Sequence, residues 1–443
     1  MGQKALPPAR VYVHTLGCPK NEADSRGLSR ALLRAGIEVT EEPAQASHII
    51  INTCGFIREA KEESIGTILE ACAGYPQTPV IVAGCLVERY HDELTSGLPE
   101  VKAWFGLLTA EEQRRLLDYI LREERPIPSP DAVVAKYRNP SSHAYLKISD
   151  GCDGPCTFCA IPQIKGPYQA VGPDEIQAEA EACLAEGARE LVLVGQNTIC
   201  WEHEGRDLLD LIEALATDPR VFWIRVMYLQ PEQVTERFLR YMAEQPKLCH
   251  YLDVPFQHSH PVLLRRMGRI GDRESYLELL ASARRLMPDV AVRSAFIVGF
   301  PGETPEHFDH LLDFVRDAEL DYAAGFTYSP EEGTLAAKLR PRVRRSVAIE
   351  RLNRLQAAIV KSAEEAHQRL VGTKVQVMVD AIGPEDSGEE FVALGRTRGQ
   401  APEVDGVTYI EGTLPVGTMV GDVIEVRIEA AVGYDLVGFC DVS

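Results

Sequence analysis

The stretch "DGCDGPCTFCAIP" (150–162) places Cys152, Cys156 and Cys159 within eight positions. A C-x3-C-x2-C spacing lets three thiolates wrap one iron–sulfur cube, which ordinarily takes four. With three, one iron keeps an open coordination position, and an open position on a metal is where a small molecule can bind and react. A structural zinc site would want a fourth cysteine or a histidine. The nearest histidine, His143, precedes the adjoining strand and stands at its wrong end. The remaining reading, three unliganded core thiols, sits badly in a Gly/Asp/Pro loop.

A second triad has no compact motif. Cys18, Cys54 and Cys85 each follow directly on an apolar run: "RVYVHTLGC", "HIIINTC" and "PVIVAGC". If those runs are parallel strands, all three thiols project from one edge of one sheet, and a second metal cluster is the expected occupant. Gly17 and Gly84 precede two of them and Gly55 follows the third, so backbone can approach a ligand closely. A buried cysteine at one strand end is commonplace; the same placement three times over is not. Cys72, Cys183, Cys200, Cys249 and Cys440 lack it and are read as core or bystander thiols.

The elements that must position these residues follow from periodicity. The 443 residues suggest roughly three domains at about 150 residues each. Residues 1–125 alternate apolar runs with helical patterns, which predicts a doubly wound parallel sheet. A Pro-rich polar stretch, 126–138, reads as a linker. Residues 139–370 carry six candidate strands, "AYLKIS", "ELVLVG", "FWIRVMYL", "HYLDVPF", "AVRSAFIVGF" and "YAAGFTYS", with amphipathic helices between them. Six βα units are too few for a closed eight-fold barrel, so an open, partial (β/α)6 barrel is expected, then a long helix. Residues 371–443 turn to short β runs with Gly turns, which predicts a small antiparallel β-barrel.

No apolar run reaches the roughly 18 residues of a membrane span, and "MGQKALPPAR" carries no secretory core. The expected location is the cytoplasm, where clustered cysteines point to metal or catalysis rather than disulfides. A net charge of −20 opposes nonspecific binding to nucleic acid and favours a basic partner.

"CDGPCTFC", with the aromatic Phe158 before its last cysteine, resembles the signature of radical S-adenosylmethionine enzymes. "LGCPKNEADS", "INTCGFIREA" and "VAGCLVERY" resemble the N-terminal domain of the methylthiotransferases within that family. The resemblance covers nearly the whole chain and implies two 4Fe-4S clusters, one held by Cys152, Cys156 and Cys159, the other by Cys18, Cys54 and Cys85. One open iron would chelate S-adenosylmethionine and the other would carry the sulfur. One S-adenosylmethionine then methylates that sulfur, and a second yields the radical that takes hydrogen from the substrate carbon. By the same resemblance "FIVGFPGE" (296–303), with Gly299, Gly302 and Glu303, lies against the adenosyl moiety, and Gln196 of "VGQNT" (194–198) lines the same mouth. Asn21 and Asn52 match motif positions and would support the second cluster; otherwise they are turn or cap residues. The last domain is TRAM-like, and a flavodoxin- or ferredoxin-like electron donor is implied.

Two branches share this plan: one modifies the adenosine beside the anticodon of tRNA; the RimO-type branch modifies an aspartate β-carbon of protein twelve of the small ribosomal subunit. "LGCPKN" and "GRTRGQAPEVDG" (395–406) resemble the protein-modifying branch. Charge agrees independently: residues 371–443 hold 13 Asp/Glu and 4 Lys/Arg, a net −9. Such a barrel suits a basic ribosomal protein better than a phosphate backbone. Transfer RNA, or a non-catalytic iron–sulfur adaptor for ribosome or RNA, are the alternative assignments. Lys165, Ala170 and Val171 depart from the family pattern, which has arginine at the first of these and Ser-Arg at the others.

Overall fold

The computed structural model describes residues 9–123, 141–383 and 391–440. The chain forms two compact units, Met1–Asn139 with Ala160–Tyr168, and Pro140–Cys159 with Gln169–Ser443. The stretch read as a linker, 126–138, lies outside the described residues. One boundary differs from expectation: Ala160–Tyr168, assigned by sequence to the second domain, belongs to the first unit. Ala160 and Ile164 are buried there beside Cys85.

The first unit is a five-stranded parallel sheet: β1 (Arg10–Thr15), β2 (Glu38–Thr40), β3 (His48–Thr53), β4 (Val80–Gly84) and β5 (Ala103–Trp104), in the order β2-β1-β3-β4-β5. β3 is buried along its whole length, which is why it reads as one apolar run. Its side chains alternate between two cores. Ile50 joins Val11, Ile81 and Leu28 on one face; Ile49 and Ile51 join Val82, Ile68 and Leu86 on the other. From β1 the chain passes to β2 on one side and β3 on the other. In open α/β sheets ligands bind outside the carboxyl ends of strands at such a reversal.

The second unit opens with six parallel strands in two runs. β6 (His143–Lys147), β7 (Glu190–Val194) and β8 (Trp223–Val226) pair in the order β8-β7-β6, and β9 (Tyr251–Asp253), β10 (Ala291–Val298) and β11 (Tyr322–Thr327) pair in chain order. A parallel bridge between Ile224 and Leu248 joins the two runs, giving the open arc that six βα units predict. The long helix, Arg345–His367, packs Leu355 and Ile359 into the core beneath it.

The last segment closes a barrel of β12 (Lys374–Ile382), β13 (Ala393–Thr397), β14 (Thr408–Gly412), β15 (Val423–Val432) and β16 (Asp435–Cys440), in the order β12-β13-β14-β16-β15. It departs from the all-antiparallel expectation at one pairing: β14 and β16 run parallel. The chain between them crosses the barrel by way of β15, so the two strands meet side by side in the same direction.

Within this unit, residues 395–406 dock onto the half-barrel. Arg396 Nη1 meets Glu190 Oε2 at 2.6 Å, while Arg225 Nε holds Glu190 Oε1 at 2.7 Å. Arg396 also pairs with Asp380 at 2.7 and 2.9 Å. Tyr145 donates to the Pro402 carbonyl at 2.7 Å, Tyr251 donates to Asp405 Oδ2 at 2.6 Å, and Arg293 Nε pairs with Asp405 Oδ1 at 3.2 Å. Glu190 and Tyr251 are the first residues of their strands, and Tyr145, Arg225 and Arg293 the third. The contacts therefore form a floor at the amino-terminal ends, opposite the cysteine loop. Among the described residues, no helix is long and apolar enough to cross a membrane.

Candidate active site

In the first unit the three cysteines stand at the carboxyl ends of adjacent strands. Cys18 directly precedes the first helix, α1 (Pro19–Arg34); Cys54 follows β3; Cys85 begins α2 (Cys85–Gly97). Helix N-termini favour negative charge, so two of the three positions suit an anionic thiolate. Gly17 has φ +100°, and a Cβ on it would lie 2.7 Å from Cys54 Cβ and 3.1 Å from Cys54 Sγ. Cys54 thus occupies the space a side chain at position 17 would need. Ser64 clamps the Cys54 backbone: its Oγ accepts from Cys54 N at 3.1 Å and donates to Cys54 O at 3.0 Å.

Asn21 and Asn52 prove to be neither turn nor cap residues. Both are buried. Asn21 Nδ2 donates to Leu16 O at 2.7 Å and Thr53 O at 3.2 Å; Asn52 Nδ2 donates to Asn21 O at 3.0 Å and Ser25 Oγ at 2.9 Å. They stitch the Cys18 loop to the Cys54 loop. Lys165 belongs here too, on the short helix α3 (Ile161–Lys165), with Nζ 3.9 Å from Asp24 Oδ2 and its side chain 2% exposed.

In the second unit the Cys152–Cys159 loop follows β6. Thr157 fastens it, N to Met267 O at 2.9 Å and Oγ1 to Arg266 O at 2.8 Å, while Phe158 packs against Leu263, Met267 and Phe300. Cys152 Sγ accepts from Gly154 N at 3.3 Å. Cys156 Sγ receives Arg269 Nη1 at 3.8 Å.

Both donor sets are thiols alone, and soft thiolates select iron–sulfur clusters, copper(I) or zinc over hard cations. Among the described residues no three His, Cys, Asp or Glu side chains are placed to hold a single metal ion. Burial pushes the Cys85 thiol up to about 12 against the pull of the Lys165 ammonium. Burial also raises Cys54, and it raises Cys156 against Arg269. An all-thiol donor set is the kind that an iron–sulfur cluster takes.

The proposed S-adenosylmethionine contacts divide. Gln196 is half-buried in the loop after β7, beside buried Thr198. Gly299, at φ +75°, leaves no room for a side chain, since a Cβ would fall 2.6 Å from Ala348 Cβ on the long helix. Gly302 faces the Arg266 guanidinium, 3.0 Å from where its Cβ would be. Glu303 is buried: its Oε2 accepts from Gly299 N at 2.6 Å and from Arg351 Nη1 at 2.5 Å, with His258 Nε2 3.5 Å from Oε1. The carboxylate braces the turn that begins at Gly299.

Sequence reasoning missed several residues. Arg269 follows Gly268 in "RRMGRIGD", and an arginine beside a helix-ending glycine carries no sign of burial. Ser64 looks like any helix serine. Tyr228 and Gln257, just past β8 and β9, stand at φ +62° and +67°, a strain that concentrates where a fold aims side chains at a ligand. Of the cysteines set aside, Cys183, Cys249 and Cys440 are buried, Cys72 half-buried and Cys200 exposed.

Gly17→Ala is expected to lower the iron loaded by reconstitution, because either the backbone or Cys54 must move. Gly27→Ala, mid-helix with its nearest neighbour 3.6 Å away, is the control and should load normally. Equal iron per chain in both variants would show that the Gly17–Cys54 contact is dispensable.

Residues 10–106 match the Uncharacterized protein family UPF0004, residues 146–315 the Radical SAM superfamily and residues 371–440 the TRAM domain. A curated relative from Moorella thermoacetica, "Ribosomal protein uS12 methylthiotransferase RimO", is 40% identical over 93% of this chain and 95% of its own length. The protein of that name from Aquifex aeolicus is 39% identical, covering 97% and 96%. Among solved structures, the radical S-adenosylmethionine methyltransferase TsrM from Kitasatospora setae shares the fold, with a TM-score of 0.53 at 15% identity over 74% of this chain and 77% of that one.

Proposed function

Because the chain belongs to the RimO family of ribosomal protein uS12 methylthiotransferases, we propose that it exchanges a β-hydrogen of a uS12 aspartate for a methylthio group. The observation that carries this reading is the crest of Cys18, Cys54 and Cys85 on adjacent strand ends, in a chain that also bears the Cys152–Cys156–Cys159 loop. When bound, the clusters and S-adenosylmethionine supply the one-electron chemistry and the sulfur, for which no side chain has an equivalent.

The chain's own residues hold and shield. Cys152, Cys156 and Cys159 would hold the cluster that serves S-adenosylmethionine, and Cys18, Cys54 and Cys85 would hold the cluster that serves the sulfur. Phe158, packed on Phe300 and Met267, keeps water from the loop's apolar side. Gln196, Gly299 and Gly302 line the S-adenosylmethionine side, and Glu303 fixes the turn that presents the glycines. The barrel segment, net −9 over residues 371–443, attracts a basic protein and repels nucleic acid. Electrons come from a small flavodoxin- or ferredoxin-like donor.

The test is a mass shift. The reconstituted protein, given S-adenosylmethionine, a sulfide source and a reductant, is expected to add one methylthio group to the aspartate-bearing peptide of uS12 and to leave tRNA unchanged. Modified adenosine beside the anticodon with unaltered uS12 would assign the chain to tRNA instead. No cleavage of S-adenosylmethionine by cluster-loaded protein would make it an adaptor.

A further inference from the structure

Arg269 presents an unusual cost. Its side chain is 3% exposed, and a buried guanidinium is penalised by several kcal/mol unless anions and acceptors surround it. The acceptors are incomplete. Nη1 donates to Gln230 Oε1, Nη2 donates to Pro255 O at 3.2 Å, and Glu232, itself 29% exposed, stands 3.6 Å away. Nε makes no hydrogen bond among the described residues. The other close group is Cys156 Sγ, 3.8 Å from Nη1. As a neutral thiol it is a weak acceptor; as a thiolate bound to iron it is the buried anion the guanidinium lacks.

The backbone fixes this meeting. Arg269 follows Gly268, the left-handed residue (φ +73°) that ends the helix Pro261–Met267, and a Cβ on Gly268 would fall 2.2 Å from Pro155 O. The helix end therefore lies directly on the cysteine loop, to which Met267 O and Arg266 O are also bonded through Thr157. One short segment both clamps the loop and delivers a cation to its middle cysteine.

We infer that Arg269 is a positioning residue that sets the reduction potential of the Cys152–Cys156–Cys159 cluster by donating from Nη1 to the Cys156 sulfur. This inference rests on the proposed assignment of that loop to a cluster. Reduction adds one electron to the cluster, and a fixed cation with an N–H···S bond stabilises the more negative state, so the potential rises. Hydrogen bonds and buried charge are among the levers that move such potentials.

The experiment uses the full chain with Cys18, Cys54 and Cys85 replaced by Ala, so that one cluster contributes. Iron content and the cluster's absorption are recorded first, then its midpoint by redox titration followed by electron paramagnetic resonance. R269M is expected to cut the reduced-to-oxidised ratio at a fixed potential about tenfold, a midpoint about 59 mV lower for one electron. R269K, which keeps the charge but loses the planar fork, is expected to shift the same way by less. If R269M does not fold, R269K decides alone. Unchanged midpoints with intact iron and absorption overturn the role of Arg269. Absence of any cluster in the chain that retains Arg269 overturns the assignment of the loop instead.

Discussion

Cys156→Ala is expected to abolish reductive cleavage of S-adenosylmethionine, while Cys54→Ala leaves cleavage intact and stops methylthiolation alone. The two thiols lie in different units, each in its own proposed donor set: Cys156 between Cys152 and Cys159 in one loop, Cys54 between the strand ends that carry Cys18 and Cys85. Removing one of three protein ligands leaves two, too few to hold a cube with an open corner. Each substitution should therefore empty its own site. 5′-Deoxyadenosine released under a strong reductant reports the first function, and the uS12 peptide mass reports the second. Equal loss of 5′-deoxyadenosine in both variants would contradict this division of labour. The Cys54 variant should still hold about half the iron of the intact protein if the clusters are of one kind.

The second large effect lies at the floor of the half-barrel. Glu190 is fully buried between Arg225 and Arg396, both also buried. Burial alone would raise its carboxyl, but the Arg225 and Arg396 guanidiniums outweigh it and hold the pKa at about 2. Glu190→Ala leaves two buried cations without their shared anion. Breaking a buried pair in this way costs about 3–5 kcal/mol, which denaturant or thermal unfolding should register. A loss under about 1 kcal/mol, the scale of exposed pairs, would mean that water reaches the floor. The pH dependence has a definite sign. A carboxylate whose folded pKa lies below its unfolded value adds stability that is complete above the unfolded value and fades as pH falls toward about 2. Glu190→Gln should therefore flatten the acid side of the stability profile and leave the alkaline side unchanged.

What could be read in advance, and what could not, separates along chain distance. The strands before Cys18, Cys54 and Cys85 announce themselves as apolar runs, and their parallel order puts the thiols at one edge. The Cys152–Cys159 loop is local and legible for the same reason. Glu190, Arg225 and Arg396 are far apart in sequence, and nothing near any of them signals a partner. Arg269 is hidden likewise, since its meaning depends on Cys156. The stretch 395–406 was legible as a motif but not in its role. Arg396, Pro402 and Asp405 within it bind Glu190, Tyr145 and Tyr251 of the half-barrel. The carboxylate of the motif residue Glu303 is held by Arg351, a partner 48 residues away that the motif does not signal. Ala160–Tyr168 could not be assigned from order along the chain, because it follows Cys159 yet packs with Cys85.

That docked stretch makes the barrel a poor cassette. A hybrid that exchanges residues 371–443 with those of a distant relative would bring a foreign loop to a floor cut for Arg396, Pro402 and Asp405. The compatible graft is a matched set, in which Tyr145, Glu190, Arg225, Tyr251 and Arg293 travel with the barrel. Recombination within this family should accordingly avoid the seam before residue 371.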